Sequence, residues 1–143
     1  MRKHIHIGCY GIIEQDNKIV LIKKARGPYT GKLDLPGGGF EYGETPQECV
    51  TREVLEETGL EIESLELADA FAFNCVWNDT NEGDVEELHH VAIFFKVKVK
   101  SYDLKTEPDG LDSLGASFYS MDDLDKNNLS PLVCYIINNK LFI

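Results

Sequence analysis

The stretch from Gly37 to Leu60, GGGFEYGETPQECVTREVLEETGL, limits the fold more than any other part of the 143-residue chain. Three consecutive glycines lead into a segment with its own start and stop signals. Thr45-Pro46-Gln47-Glu48 reads as a capping box with proline at the first helical position, and Gly59 offers a left-handed C-cap. A helix from about Pro46 to Thr58 follows. At roughly 100° per residue, Glu53, Glu56 and Glu57 fall on one face of it, and Val50 and Val54 lie beside them on a flank suited to packing against a sheet.

Such a face is unfavourable by itself. Glu53 with Glu56 and Glu53 with Glu57 are like-charge pairs that cost about 0.2–0.5 kcal/mol each on a bare helix. Brought together near a cleft, one carboxylate would have to take up a proton. A divalent cation removes the conflict, and hard oxygen ligands without histidine or cysteine on that face select magnesium or manganese over zinc. Arg52 lies four residues from both Glu48 and Glu56, so pairing with them lets it orient a ligand carboxylate. The backbone at Gly37, Gly38 and Gly39 can come close to the helix or to a ligand. Taken singly, a charged helix face is usually solvated surface and a glycine-rich turn is usually only a turn. Together they point to a cation and an anionic ligand.

The rest of the chain supplies a scaffold. Ile5, Ile7, Cys9, Gly11 and Ile13 alternate with polar neighbours, EQDNK turns, and IVLIKK returns, which reads as a strand hairpin. Val91, Ile93, Phe95, Val97 and Val99 alternate against Lys96, Lys98 and Lys100, a strand with one buried face. Leu65–Trp77 and Gly115–Met121 read as further strands. In SPLVCYIINNK, Ser130 caps, Pro131 opens, and Leu132, Val133, Ile136 and Ile137 form the apolar stripe of a C-terminal helix. The polar segments Trp77–Glu87 and Tyr102–Gly115 read as long loops. Strands around two main helices indicate an α/β or α+β sandwich, one domain over residues 1–143.

Composition narrows the partners. With 25 acidic against 14 basic residues the net charge is −11, which repels a nucleic-acid polymer. No apolar run approaches the ~20 residues of a membrane span, and no signal-peptide cleavage site follows the short basic start, so no membrane association and a cytoplasmic location are expected. Cys9, Cys49, Cys75 and Cys134 form no Cys-x-x-Cys pair, which speaks against zinc or redox chemistry and for small buried apolar residues.

Gly38, five residues, Glu44, seven residues, then Arg52-Glu53-Val54-Leu55-Glu56-Glu57-Thr58-Gly59-Leu60 match the Nudix box, G-x5-E-x7-R-E-U-x-E-E-x-G-U with U aliphatic, at every fixed position. With LPGG before it and strands on both sides, the chain resembles a Nudix hydrolase along its whole length. The resemblance implies an α/β/α sandwich with a mixed sheet and hydrolysis of a nucleoside diphosphate linked to a further group. It implies magnesium or manganese held by Glu53, Glu56 and Glu57 with the Gly38 carbonyl, and by Glu44 in assistance, with Arg52 in the catalytic set. The general base it leaves open is Glu53 or an acid in a loop, for which Glu86, Glu87, Glu107, Asp109 and Asp112 are candidates.

Outside the box, Lys23, Lys24, Arg26 and Lys32 make a local basic patch for phosphate, with Arg26 and Lys32 the substrate-binding candidates. Among the aromatic residues available for base recognition, Phe71, Phe73, Trp77, Phe118 and Tyr119, Trp77 is the least core-like. His89 and His90, adjacent on a strand, point to opposite faces and read as packing or pocket wall. The tyrosine that dinucleoside-polyphosphate relatives tend to carry beyond the box is replaced by Val76, Trp77 and Asn78, and the proline of ADP-ribose relatives by Cys75. Leu33 stands where many relatives have an aromatic residue. Small size then favours a MutT-like nucleoside triphosphate pyrophosphohydrolase. The alternatives are a pyrophosphatase of ADP-ribose, nucleotide sugars or dinucleotides, and a non-catalytic nucleotide-sensing domain. Dimers are frequent in the family, so a homodimer is the further partner it implies.

Overall fold

In a computed structural model, the structure describes residues 2–79, 84–105, 108 and 113–142. Its elements are β1 (Arg2–Gln15), β2 (Lys18–Lys24), β3 (Leu33–Asp34), β4 (Gly37–Gly39), α1 (Pro46–Thr58), β5 (Ile62–Asp79), β6 (Asp84–Val99), β7 (Ser113–Ser120) and α2 (Pro131–Asn138). The strand order is β3-β2-β1-β6-β5, with β4 pairing on β1 and β7 on β2. β1 and β6 run parallel from Arg2↔Glu86 to Ile13↔Val97, and the other pairings are antiparallel, so the sheet is mixed. Asp16 and Asn17 both take positive φ, the turn geometry that matches the twist of a two-residue hairpin between β1 and β2.

Two apolar layers form on opposite faces of this sheet. Cys49, Val50 and Val54 of α1 meet Cys9, Ile13, Phe95 and Val97 on one face. Leu132, Val133 and Ile136 of α2 meet Tyr10, Ile12 and Phe94 on the other. The result is the expected α/β/α sandwich. Adjacent residues of β1 and β6 therefore serve different cores, and this corrects the reading of the Val91–Val99 strand as having one buried face. Ile12 and Ile13 are both buried, as are Phe94 and Phe95. Ile5 and Ile7, expected inside, are 64% and 46% exposed, because β1 pairs only with β6 over that stretch and gains β4 as a second neighbour at Gly8.

Of the segment Trp77–Glu87, expected as a long loop, the described residues are strand, and residues 80–83 lie outside the described residues. β5 continues to Asp79 and β6 begins at Asp84, with Trp77 opposite Glu86. In the second proposed loop, β7 starts at Ser113. Cys9 and Cys49 are buried, Cys75 and Cys134 half-buried, and all four are free thiols. Burial, and then Cys49, push the Cys9 thiol up to about 12, so it packs rather than reacts. Among the described residues no helix is long and apolar enough to cross a membrane.

Candidate active site

α1 has the boundaries its local signals specify. The Thr45 side chain accepts from the Glu48 backbone N–H at 3.2 Å while the Glu48 carboxylate accepts from the Thr45 N–H at 3.0 Å, and Gly59 closes the helix at φ 75°. Val50 and Val54 anchor the helix in the core, which turns Glu53 and Glu57 toward β4. The approach is tight: a Cβ on Gly38 would lie 3.0 Å from the Glu53 carboxyl, and one on Gly37 would lie 2.2 Å from the Cys9 carbonyl oxygen. Only glycine fits at Gly37, where φ is 150° as well.

Glu57 is 2% exposed. Its Oε1 accepts from the Gly37 N–H at 3.1 Å, and its Oε2 is buried without a hydrogen-bond partner. Burial first, and then the adjacent Glu53 carboxyl, raise its pKa well above the ordinary glutamate range. Two carboxylates with no proton between them cannot satisfy each other. A cation fits here, because it would supply what Oε2 lacks.

Arg52 ties the remaining carboxylates together. Its Nε and Nη2 donate to the two oxygens of Glu44 at 2.7 and 2.9 Å, Nη1 donates to Glu53 Oε1 at 2.9 Å and Glu56 Oε2 at 3.4 Å, and Nη2 also reaches the Gly39 carbonyl at 3.0 Å. This guanidinium, helped by the Glu41 backbone N–H, holds the Glu44 carboxyl down at about 2. The expected pairing of Arg52 with Glu48 does not form, because the capping box engages the Glu48 carboxylate. Glu44 was placed with the metal ligands; its first role here is to hold Arg52, which sits between it and Glu53.

Glu56 is the outermost of the set, its side chain 53% exposed. The Gly38 carbonyl is met by the Cys49 thiol at 3.4 Å. Among the described residues, no three His, Cys, Asp or Glu side chains converge closely enough to enclose a metal by themselves. Arg52 accounts for part of this by occupying the space among Glu44, Glu53 and Glu56. Magnesium, moreover, keeps several waters and leans on one or two carboxylates plus ligand phosphates, so a closed protein cage is not its signature.

On the other side of β4 opens a cleft of about 820 Å³. Gly37–Gly39 form one wall, Lys24 at the end of β2 and Arg26 just after it form another, and Trp77 and Asn78 contribute from the end of β5. Arg26 and Trp77, two of the expected substrate-binding residues, thus both line the cleft. Lys32 does not line the cleft; it lies near Cys75, whose thiol it helps to keep down against burial. The cleft floor holds His90, read from the sequence as packing or pocket wall, and three residues that the sequence did not single out, Asp34, Tyr10 and Tyr29. Asp34 is buried, accepts from the Ser130 hydroxyl at 2.7 Å and the Leu35 N–H at 2.8 Å through Oδ1, and has its pKa raised by burial. His90 is hydrogen-bonded by both ring nitrogens to Tyr10 and Tyr29. An acid between Leu33 and Leu35 was the available signal for Asp34; two core-like tyrosines gave none.

Of the acids considered as distant bases, two are described, and neither lines the cleft. Glu86 and Glu87 lie in β6 and pair with Arg2 at 2.9 Å and Lys3 at 3.8 Å. Glu107, Asp109 and Asp112 lie outside the described residues.

A carboxylate-bearing helix thus packs behind a glycine strand, with the cleft in front of it. A family model for the NUDIX domain matches residues 2–133. The chain is 37% identical to an ADP-ribose pyrophosphatase of Methanocaldococcus jannaschii over 124 residues, 86% of this chain and 66% of that protein. It is 28% identical to the nucleoside triphosphatase NudI of an Enterobacter species, covering 85% of this chain and 88% of the relative. It spans only 27% of a putative nudix hydrolase of Caenorhabditis elegans, at 34% identity. A crystal structure of a MutT NUDIX hydrolase from Burkholderia pseudomallei superposes with a TM-score of 0.75 at 26% identity, covering 94% of this chain and 97% of that one. The chain belongs to the NUDIX domain family.

Proposed function

We propose that this protein is a cation-dependent pyrophosphohydrolase of the MutT type, cleaving a nucleoside triphosphate to the monophosphate and pyrophosphate. The observation that carries the reading is the buried Glu57 carboxylate with its unpartnered Oε2, set against Glu53 directly behind the glycine strand that walls the cleft. Glu53, Glu56 and Glu57, with Glu44 and the Gly38 carbonyl, are the residues that would hold magnesium or manganese. When bound, the cation supplies neutralisation of the diphosphate and a more acidic attacking water.

The chain's own residues do the rest. Arg52 fixes Glu53 through Oε1, leaving Oε2 to take the proton of the attacking water as its oxygen bonds to phosphorus and the anhydride P–O bond breaks. Lys24 and Arg26 bring positive charge to the cleft wall where phosphate oxygens would lie. Trp77 offers an apolar surface at the far end for the nucleoside. Near-full coverage of NudI and of the Burkholderia MutT structure supports the triphosphate reading.

A second reading has its own support. The identity to an ADP-ribose pyrophosphatase makes ADP-ribose the first alternative substrate. A product screen with magnesium, manganese or chelator separates the two: monophosphate plus pyrophosphate from triphosphates, or AMP plus ribose 5-phosphate from ADP-ribose. Absence of metal-dependent turnover on both classes contradicts the proposal and favours a nucleotide sensor. Self-association belongs to the same reading. β5 is an outer strand of the sheet and exposes Leu67 and Val76, and sedimentation decides between one copy and two.

A further inference from the structure

The floor of the cleft carries a hydrogen-bond relay with one proton to spare. Tyr10 Oη lies 2.8 Å from His90 Nε2, and Tyr29 Oη lies 2.9 Å from His90 Nδ1. His90 is 2% exposed and meets His6 edge-on at 5.0 Å; burial, then His6, hold its pKa down at about 3, so the ring is neutral. A neutral imidazole has one N–H and one lone pair. One tyrosine therefore donates to the ring, and the other accepts from it and must send its own phenolic proton elsewhere. Neither phenol has another hydrogen-bond partner among the described residues. Both tyrosines line the cleft.

The two ends of the relay face different parts of the cleft. Tyr10 pairs across the sheet with Gly37, and a Cβ on Gly8 would lie 2.7 Å from its hydroxyl, so its end is packed against the glycine strands. Tyr29 lies on the segment after β2, with Phe73 at a centroid distance of 6.3 Å. Its end joins the wall that includes Trp77, whose indole N–H is also buried without an acceptor. Two donors without protein acceptors border that part of the cleft.

We infer that Tyr29, set by His90 and Tyr10, is a specificity-determining residue that donates a hydrogen bond to an acceptor atom on the nucleoside moiety of the ligand. The relay admits only one such arrangement: His90 carries its proton on Nδ1 and donates to Tyr29, Tyr10 donates to Nε2, and the Tyr29 proton is left for the ligand. The inference rests on the hydrolase reading and adds to it which group reads the nucleoside.

The test measures binding of AMP, GMP, CMP and UMP, and separately of inorganic pyrophosphate, all with magnesium, to wild type and Tyr29→Phe. The expected result is about tenfold weaker binding of the preferred monophosphate with pyrophosphate affinity changed by less than about twofold. Equal effects on both probes, or on neither, overturn the assignment of Tyr29. If wild type binds neither probe and hydrolyses nothing, the hydrolase reading falls and the inference with it. A measurement on unmodified protein does not depend on the variant folding: the imidazole ¹⁵N resonances of His90 with the preferred monophosphate bound. A proton on Nδ1 supports the relay, and a proton on Nε2 overturns it, because Tyr29 would then be donating to the ring.

Discussion

Glu57 concentrates the conflict between folding and function in one side chain. The folded state raises its pKa, so between the ordinary glutamate range and that raised value the native protein holds a proton that the unfolded chain has released. With more protons on the folded side, stability falls as pH rises through this window. Thermal unfolding in chelator should therefore show wild type losing stability relative to Glu57→Gln as pH increases from about 4.5. An unchanged difference across pH would contradict the burial argument. Arg52 gives the complementary prediction. Lysine cannot reproduce the two-pronged contact with Glu44 and the simultaneous reach to Glu53, so Arg52→Lys should lower turnover about 10- to 100-fold with little change in melting temperature.

At the scale of elements, α1 and β4 work as a unit. The capping box starts α1 in a register that turns Glu53 and Glu57 toward the glycines, and Thr45→Ala should cost about 1 kcal/mol in chemical denaturation. Gly37→Ala should be far more damaging, since its methyl would meet the Cys9 carbonyl and β4 would have to leave β1. Soluble, cooperatively unfolding Gly37→Ala with wild-type stability would refute that packing. α1 was legible in the sequence because its signals are local: cap, proline, charged face and terminal glycine all fall within one short segment. The extent of β5 and β6 was not. Trp77–Glu87 is polar in composition, yet cross-strand pairing extends β5 to Asp79 and starts β6 at Asp84, with Glu86 and Glu87 matched to Arg2 and Lys3. Such partners are far apart in sequence and leave no periodic trace.

The whole molecule is organised by the parallel pairing of β1 and β6, which creates a sheet covered on both faces and sets the cleft floor. Tyr10 and His90 are 80 residues apart and meet only through this register, which is why the sequence named His90 as a wall residue and missed its partners. Asp34 was missed for a similar reason, its Ser130 partner arriving from the cap of α2. Two separate cores predict independent energetics. Val54→Ala under α1 and Leu132→Ala under α2 should each destabilise, Leu132→Ala by about 2–5 kcal/mol. Their effects should add to within about 0.5 kcal/mol, because the sheet separates the two sites. The central claim, that the Glu53–Glu57 pair behind the glycine strand is a cation cradle, is tested most directly by titrating manganese into wild type and Glu57→Gln and following the free ion by electron paramagnetic resonance. The account predicts saturable binding to wild type and at least about tenfold weaker binding to the folded variant; equal affinity in the two proteins would contradict it.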